Sequence, residues 1–148
     1  MLPSMKTLLF SLSFISLFTT HLLCEENYGS VTISELISVY DGDTFKVNIK
    51  EYPAVLGEKI SVRVNGIDTP EIKGKCPQEK ELAQKAKKVA VYMLKNATVI
   101  ELRNMQRGKY FRIVADVYAD GVSLSEKLIE KKLAVAYDGG TKTKNWCE

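Results

Sequence analysis

Two short acidic segments are the part of this sequence best suited to chemistry. They read Asp41-Gly42-Asp43-Thr44 and Asp68-Thr69-Pro70-Glu71. The one histidine, His21, lies inside an apolar leader, so a form without that leader contains no imidazole. Imidazole is the commonest general base and transition-metal ligand, so any hydrolysis here must use carboxylates, arginines and a hard cation that prefers oxygen ligands.

Each acidic segment taken singly has an ordinary structural interpretation. Asp-Gly-Asp-Thr is commonly a reverse turn, and it is not an EF-hand loop because Phe45 stands where that loop needs an oxygen ligand. Asp-Thr-Pro-Glu could equally be a strand end followed by a proline turn. The carboxylates and nearby arginines could also form a surface ion-pair network. Their chemistry depends on whether the fold brings them together.

A β-hairpin is predicted around the first acidic segment. Residues 31–40 are β-prone, Asp41-Gly42 is a turn signal, and apolar residues alternate from Phe45 and Val47 onward. The alternation puts Asp43 on the side of Phe45 and Val47 unless a bulge or strong twist intervenes. Further on, a second alternating stretch at residues 60–64 predicts a strand.

Arg63 lies within that second stretch. The apolar residues Ile60, Val62 and Val64 alternate with polar ones, so the Arg63 side chain is expected to project away from the core.

Helices and further strands are predicted in the second half of the chain. Pro77 suits the first position of an amphipathic helix. Its apolar face comprises Leu82, Ala86, Val89, Ala90 and Met93. Strands are expected at residues 98–103 and 112–118, joined by a loop containing Gly108. A capping box formed by Ser123 and Glu126 predicts a helix at residues 124–131. This order favours a small closed or partly closed barrel with helices over a parallel sheet.

Residues 1–24 predict export. Lys6 is followed by an apolar run from Leu8 to Leu23 that is diluted with hydroxyl side chains, which is typical of a signal peptide. An uncleaved membrane anchor is one alternative. Another is a lipoprotein leader, since Leu22-Leu23-Cys24 loosely resembles a lipoprotein box and would attach Cys24 to a membrane. Residues 25–148 are then one domain, which is secreted, periplasmic or on the cell surface.

Cys76 and Cys147 are predicted to form a disulfide. They remain as an even pair in an oxidising compartment once Cys24 leaves with the leader or is lipidated. Neither belongs to a CxxC pair, so a zinc site has no support. The alternative is two free thiols.

The two acidic segments, Arg63 and the segment Lys109-Tyr110-Phe111-Arg112, taken in this order, resemble the staphylococcal nuclease-like family of calcium-dependent nucleases. The resemblance covers residues 39–137. It also includes Tyr118-Ala119-Asp120-Gly121 and Leu133-Ala134-Val135-Ala136-Tyr137. So many matches in the same order are not expected by chance.

The resemblance implies an α+β fold, mainly β with helices: an OB-fold-type five-stranded β-barrel with two to three α-helices. It also implies a site for one calcium ion, held by Asp43, Asp68 and the carbonyl of Thr69. This set agrees with the preference of calcium for several oxygen ligands in flexible geometry.

The resemblance further implies a secreted endonuclease that hydrolyses DNA and RNA and leaves 3′-phosphate ends. Glu71 would orient or deprotonate the attacking water, while Arg63 and Arg112 would hold the scissile phosphate. Lys109 and Tyr137 would lie near the terminal phosphate and the sugar or base. No obligatory protein partner is inferred, and a monomer is expected.

Two departures from the family pattern and one alternative function accompany this interpretation. Phe111 stands where the family usually has glycine, and Gly139 stands where it has a second tyrosine, so the approach to Arg112 and base stacking are expected to differ. The alternative function is a non-catalytic OB-fold module on the cell surface that binds nucleic acid or a protein. The formal net charge of +3 is compatible with a polyanionic partner but does not require one.

Overall fold

A curled, mixed β-sheet forms the centre of the protein. The structure, a computed structural model, describes residues 27–148, so the predicted leader and Cys24 lie outside the described residues. The strands are β1 (Val31–Thr32), β2 (Glu35–Val39), β3 (Thr44–Asn48), β4 (Ile60–Val64), β5 (Ile67–Asp68), β6 (Ile100–Arg107), β7 (Arg112–Ala119), β8 (Val122–Ser123) and β9 (Val135–Ala136). The helices are α1 (Ala54–Gly57), α2 (Pro77–Asn96) and α3 (Leu124–Glu130), and a 3₁₀ turn covers Lys109–Phe111.

The strand order of the main sheet is β1-β6-β7-β4-β3-β2, with β8 paired to β7, while β5 and β9 form a separate pair. Strands β4 and β7 run parallel, and the other pairs among the described residues are antiparallel. Strands β2, β3, β4, β6 and β7 each contain at least five residues. A curled half-barrel of five main strands with three helices confirms the predicted OB-fold-type α+β class.

The predicted hairpin is formed by β2 and β3. Its geometry also shows why Asp43 need not share a strand face with Phe45 and Val47. Strand β3 begins at Thr44, so Asp43 belongs to the preceding turn, where its N–H donates to Asp41 Oδ1 at 3.1 Å. Phe45 and Val47 are buried in the core, as expected from their alternation. In β4 the apolar residues are buried and Arg63 is half-buried on the opposite face, which agrees with the prediction.

Helix α2 begins at Pro77, as predicted. Cys76 caps it, because its Sγ accepts a hydrogen bond from the Glu79 N–H at 3.3 Å. The most deeply buried apolar residues are Ala83, Ala86, Ala90 and Leu94. Three residues of the predicted apolar face, Leu82, Val89 and Met93, are only partly buried. The line of contact runs through alanines because their small side chains let the helix lie close to the layer beneath.

The other two helices differ in how well they were predicted. Helix α3 begins after Ser123, whose Oγ accepts from the Glu126 N–H at 3.3 Å, and it ends one residue before the predicted end. Helix α1 was not predicted, because its four residues are too few for a periodic pattern. None of the helices in residues 27–148 combines the length and apolar character that a membrane span needs.

The C-terminal tail, residues 138–148, returns to the start of α2. The Sγ atoms of Cys76 and Cys147 lie 2.18 Å apart, at bonding distance, as expected for the predicted pair. The neighbouring Trp146 is buried. The tail therefore lies close to the segment between β5 and α2, which contains part of the second acidic motif.

Candidate active site

Arg63 joins the two acidic segments. Its Nη1 donates to Asp43 Oδ1 at 2.8 Å, and its Nη2 donates to the carbonyl oxygen of Ile67 at 3.1 Å and lies 3.9 Å from Asp68 Oδ1. The pairing of β3 with β4 places Arg63 opposite Thr44, the residue after Asp43. Two segments that are separate in the sequence thus converge on one guanidinium group.

The carboxylates around Arg63 are buried. Asp41, Asp43 and Asp68 are at most 5% exposed. Burial, together with the nearby charge of Asp43, raises the pKa of Asp41 to about 7. Burial also raises the pKa of Asp43, although the guanidinium of Arg63 opposes this shift. A bound cation would relieve the cost of keeping these groups ionised.

Asp68 shows that the acidic pocket fits a hard cation. Its Oδ1 is buried and accepts no hydrogen bond of good geometry, although Lys142 Nζ approaches it at 2.7 Å as an ion pair. Asp43 forms an ion pair with Arg63. Thr69, whose carbonyl is the predicted third ligand, is also buried. Carboxylate and carbonyl oxygens are the ligands that calcium prefers.

The pocket does not form a complete cage of carboxylates. Within residues 27–148, the one group of three Cys, Asp or Glu side chains whose ligand atoms lie within 4.8 Å of one another is Cys76, Glu79 and Cys147. The sulfur atoms of that group are at bonding distance from each other. A cation in the acidic pocket would therefore need oxygens from solvent or substrate to complete its coordination shell.

Lys142 links the acidic pocket to the tail, and this role was not predicted from the sequence. Its Nζ lies 2.5 Å from Glu71 Oε1 and 2.7 Å from Asp68 Oδ1. Burial opposes the charge on Lys142, but the two carboxylates outweigh it and raise its pKa. Glu71 is exposed, and its backbone N–H donates to the buried carboxylate of Glu79 at 3.4 Å. No local motif marks Lys142, because long-range packing of the tail sets its position.

A cleft of about 440 Å³ adjoins this pocket. Its wall includes Arg63, Glu71, Lys109, Arg112, Tyr137 and Lys142. Arg112 Nε is buried and has no hydrogen-bond partner. The Tyr137 ring centroid lies 5.8 Å from Arg63 Cζ, and its hydroxyl donates to the Gly140 carbonyl at 2.7 Å.

All eight predicted catalytic, ligand and substrate-binding residues lie in this region of the molecule. The predicted catalytic and substrate-contacting residues line the cleft itself. The predicted metal ligands are not part of its wall. Arg63 and Lys142, which line it, form ion pairs with Asp43 and Asp68.

Of the two residues that depart from the family pattern, Gly139 lines the cleft and Phe111 immediately precedes Arg112, which lines it. Tyr110 and Phe111 have φ values of 58° and 54°, in the left-handed region that bulky residues rarely adopt, and both side chains are exposed. Gly139 is exposed with φ 91° and supplies no ring beside Tyr137.

Comparison with known proteins agrees with this arrangement. A family model described as staphylococcal nuclease homologue matches residues 61–146, which include Arg63, Glu71, Arg112 and Lys142. The chain belongs to the staphylococcal nuclease homologue family. Family membership confirms the resemblance seen in the sequence.

Three relatives are similar to this member of the family. The chain is 36% identical over 126 residues to Endonuclease YncB of Bacillus subtilis (strain 168), which covers 80% of this chain and 54% of that protein. It is 32% identical over 95 residues to the probable staphylococcal-like nuclease CAN1 of Oryza sativa subsp. japonica, covering 62% of this chain and 27% of the relative. It is 31% identical over 97 residues to an uncharacterized 38.1 kDa protein of Capnoides sempervirens, covering 64% and 27%. The chain thus spans about half or less of the length of these relatives.

Proposed function

We propose that this protein is a secreted, calcium-dependent endonuclease that hydrolyses DNA and RNA and leaves 3′-phosphate ends. The observation that carries the proposal is the convergence of Asp43 and Asp68 on Arg63, beside a cleft that also contains Glu71 and Arg112. The nuclease names of two relatives support the same class of reaction.

Asp43, Asp68 and the carbonyl of Thr69 would hold the calcium ion. When bound, the ion supplies positive charge that stabilises the negative charge developing on the phosphate. The buried carboxylates support this assignment, and so does Asp68 Oδ1, because this oxygen already attracts the positive charge of Lys142 at 2.7 Å.

Three side chains would carry the reaction at the phosphate. Glu71 accepts a proton from the attacking water as the new bond from oxygen to phosphorus forms. The bond from phosphorus to the 5′ oxygen breaks, and that oxygen takes a proton from solvent, which leaves a 3′-phosphate and a 5′-hydroxyl. Arg63 and Arg112 donate paired hydrogen bonds to the phosphate oxygens as their charge increases.

The other parts of the proposal concern the environment of the enzyme. Residues 1–24 predict export, and a disulfide between Cys76 and Cys147 would suit an oxidising compartment. We expect a monomer without an obligatory protein partner. Lys109 and Tyr137 would contact the substrate next to the scissile phosphate.

One observation favours the alternative of a non-catalytic binding module. Glu71 is held in an ion pair with Lys142, so the carboxylate that would contact the attacking water is already engaged by an ammonium group. In that case the cleft would bind nucleic acid or a protein without cutting it.

A digestion assay separates these two functions. The purified protein is incubated with single-stranded DNA, duplex DNA and RNA, in calcium and again with a chelator, and the product ends are determined. We expect cutting in calcium, none with the chelator, and 3′-phosphate ends. Binding without cutting in calcium would contradict the nuclease proposal and support the binding module.

A further inference from the structure

A second cavity of about 270 Å³ adjoins the candidate cleft. The two share Gln106, Arg107 and Arg112 in their walls. Much of the remaining wall is apolar and includes Tyr52, Leu56, Ile60, Met105 and Phe111. The described residues that line this second cavity include two arginines and no acidic residue.

Phe111 presents an aromatic ring at the mouth of this cavity. Its side chain is 53% exposed, and its φ of 54° follows another left-handed residue, Tyr110. Such backbone conformations cost on the order of 1–3 kcal/mol each and are concentrated at functional sites. The guanidinium carbon of Arg107 lies 5.3 Å from the centroid of the Phe111 ring. An exposed ring next to a cation is therefore maintained at a conformational cost.

We propose that this second cavity binds an unpaired nucleobase of the substrate, adjacent to the scissile phosphate, with Phe111 as its stacking surface. This inference rests on the proposed function, because it takes the phosphate to lie between Arg63 and Arg112. The second cavity shares Arg112 with that cleft, so a base in this cavity would lie next to a phosphate held by Arg112.

The chemistry of the wall fits one class of occupant. Single-stranded nucleic acid combines flat aromatic bases with a negative backbone, and proteins bind it with aromatic side chains beside positive charges. Phe111 and Tyr52 supply rings, while Arg107 and Arg112 supply positive charge. A base within a duplex would have to leave its stack to enter, so the cavity should read unpaired bases.

Equilibrium binding of a fluorescent single-stranded oligonucleotide tests the inference. A chelator is present throughout, so no cleavage is required. The variant Phe111→Leu keeps an apolar side chain but removes the ring, and we expect affinity to fall on the order of tenfold. Phe111→Trp should retain the affinity of the original protein. Tyr92→Leu, which removes an exposed ring on α2 outside both cavities, should also retain it.

An abasic oligonucleotide of the same length distinguishes stacking from a general disturbance of the loop. We expect Phe111→Leu and the original protein to bind the abasic strand equally well. An equal loss on both oligonucleotides, no loss on the strand with bases, or a matching loss in Tyr92→Leu would overturn the inference. Failure of the proposed function is recognised separately, as absence of cutting by the original protein in calcium.

Discussion

Arg63 is the residue on which the geometry of the site depends. A guanidinium group carries five N–H donors in a fixed plane, so it can contact several acceptors at once. Here it contacts Asp43, the Ile67 carbonyl and, at a longer distance, Asp68. The donors that would contact a phosphate are thus oriented in advance by the acidic segments themselves.

Glu71 provides the most direct test of catalysis. Replacing Glu71 by Gln keeps the size of the side chain and removes its ability to accept a proton, so we expect the rate of DNA cleavage to fall at least about 100-fold. Unfolding by urea should change little, because the side chain is half exposed.

Glu81→Gln is the matched control, since Glu81 forms an exposed ion pair with Lys85 on α2 and lies outside the cleft. It should cut at the original rate. Near-normal turnover in Glu71→Gln would remove Glu71 from the mechanism.

Lys142 is expected to compete with the metal ion. Its ammonium group lies 2.7 Å from Asp68 and 2.5 Å from Glu71, so a cation that binds Asp68 must displace it or share the oxygen. Because a partly exposed ion pair contributes about 0.2–1 kcal/mol, Lys142→Gln should tighten calcium binding by roughly 1.4- to fivefold. Calorimetric titration with calcium measures this directly.

Lys144→Gln is the control for that titration. Lys144 lies two residues further along the tail, with its Nζ 5.6 Å from the Trp146 ring centroid. Its replacement should leave calcium affinity unchanged. Weaker calcium binding in Lys142→Gln would mean that Lys142 supports the acidic pocket instead of competing for it.

The first acidic turn depends on close contact with helix α2. A Cβ atom on Gly42 would lie 2.8 Å from the Ala86 Cβ and 3.0 Å from the Thr69 Cγ2. The absence of a side chain at Gly42 therefore lets the turn, the helix and the second acidic segment pack together. Asp43 and Thr69 are brought near one another by this contact.

Gly42→Ala should consequently destabilise the fold. Overpacking of this kind costs about 1–3 kcal/mol, which urea unfolding would detect. Gly140→Ala is the control, because its added methyl would meet only the end of the exposed Asp138 side chain, and we expect a change within about 0.5 kcal/mol. Unchanged stability in Gly42→Ala would mean that the turn can move away from α2.

The sequence was informative where a local signal determines the structure. Pro77 marked the start of α2, Ser123 marked the cap of α3, and alternation in β4 placed Arg63 outside the core. The sequence was uninformative about the ion pairs of Lys142, because packing between distant parts of the chain sets them. Alternation alone also could not predict on which face of the hairpin the Asp43 side chain lies. Asp43 belongs to the turn before β3, and the conformation of that turn sets its direction.

The pairing of Cys76 with Cys147 should contribute to the stability of the entire fold. The two are 71 residues apart, and a bridge closing a loop of that size contributes about 4 kcal/mol in the chain-entropy model. Urea unfolding of Cys76→Ser/Cys147→Ser should show a loss of this order, although a serine at position 76 can still cap α2. Reductant should destabilise the original protein to the same level and leave the variant unaffected, whereas equal stability under all conditions would contradict the bridge.

The exposed turn at Lys109–Phe111 lies between the two bridged cysteines in the chain. A protease that nicked the backbone there would separate Arg63 and Arg112 onto different fragments. With the sulfur bridge intact, those fragments would remain one covalent molecule, and the pairing of β4 with β7 would still hold the two arginines across from each other. If the protein is exported as proposed, it would thus stay in one piece after a protease cut this exposed turn.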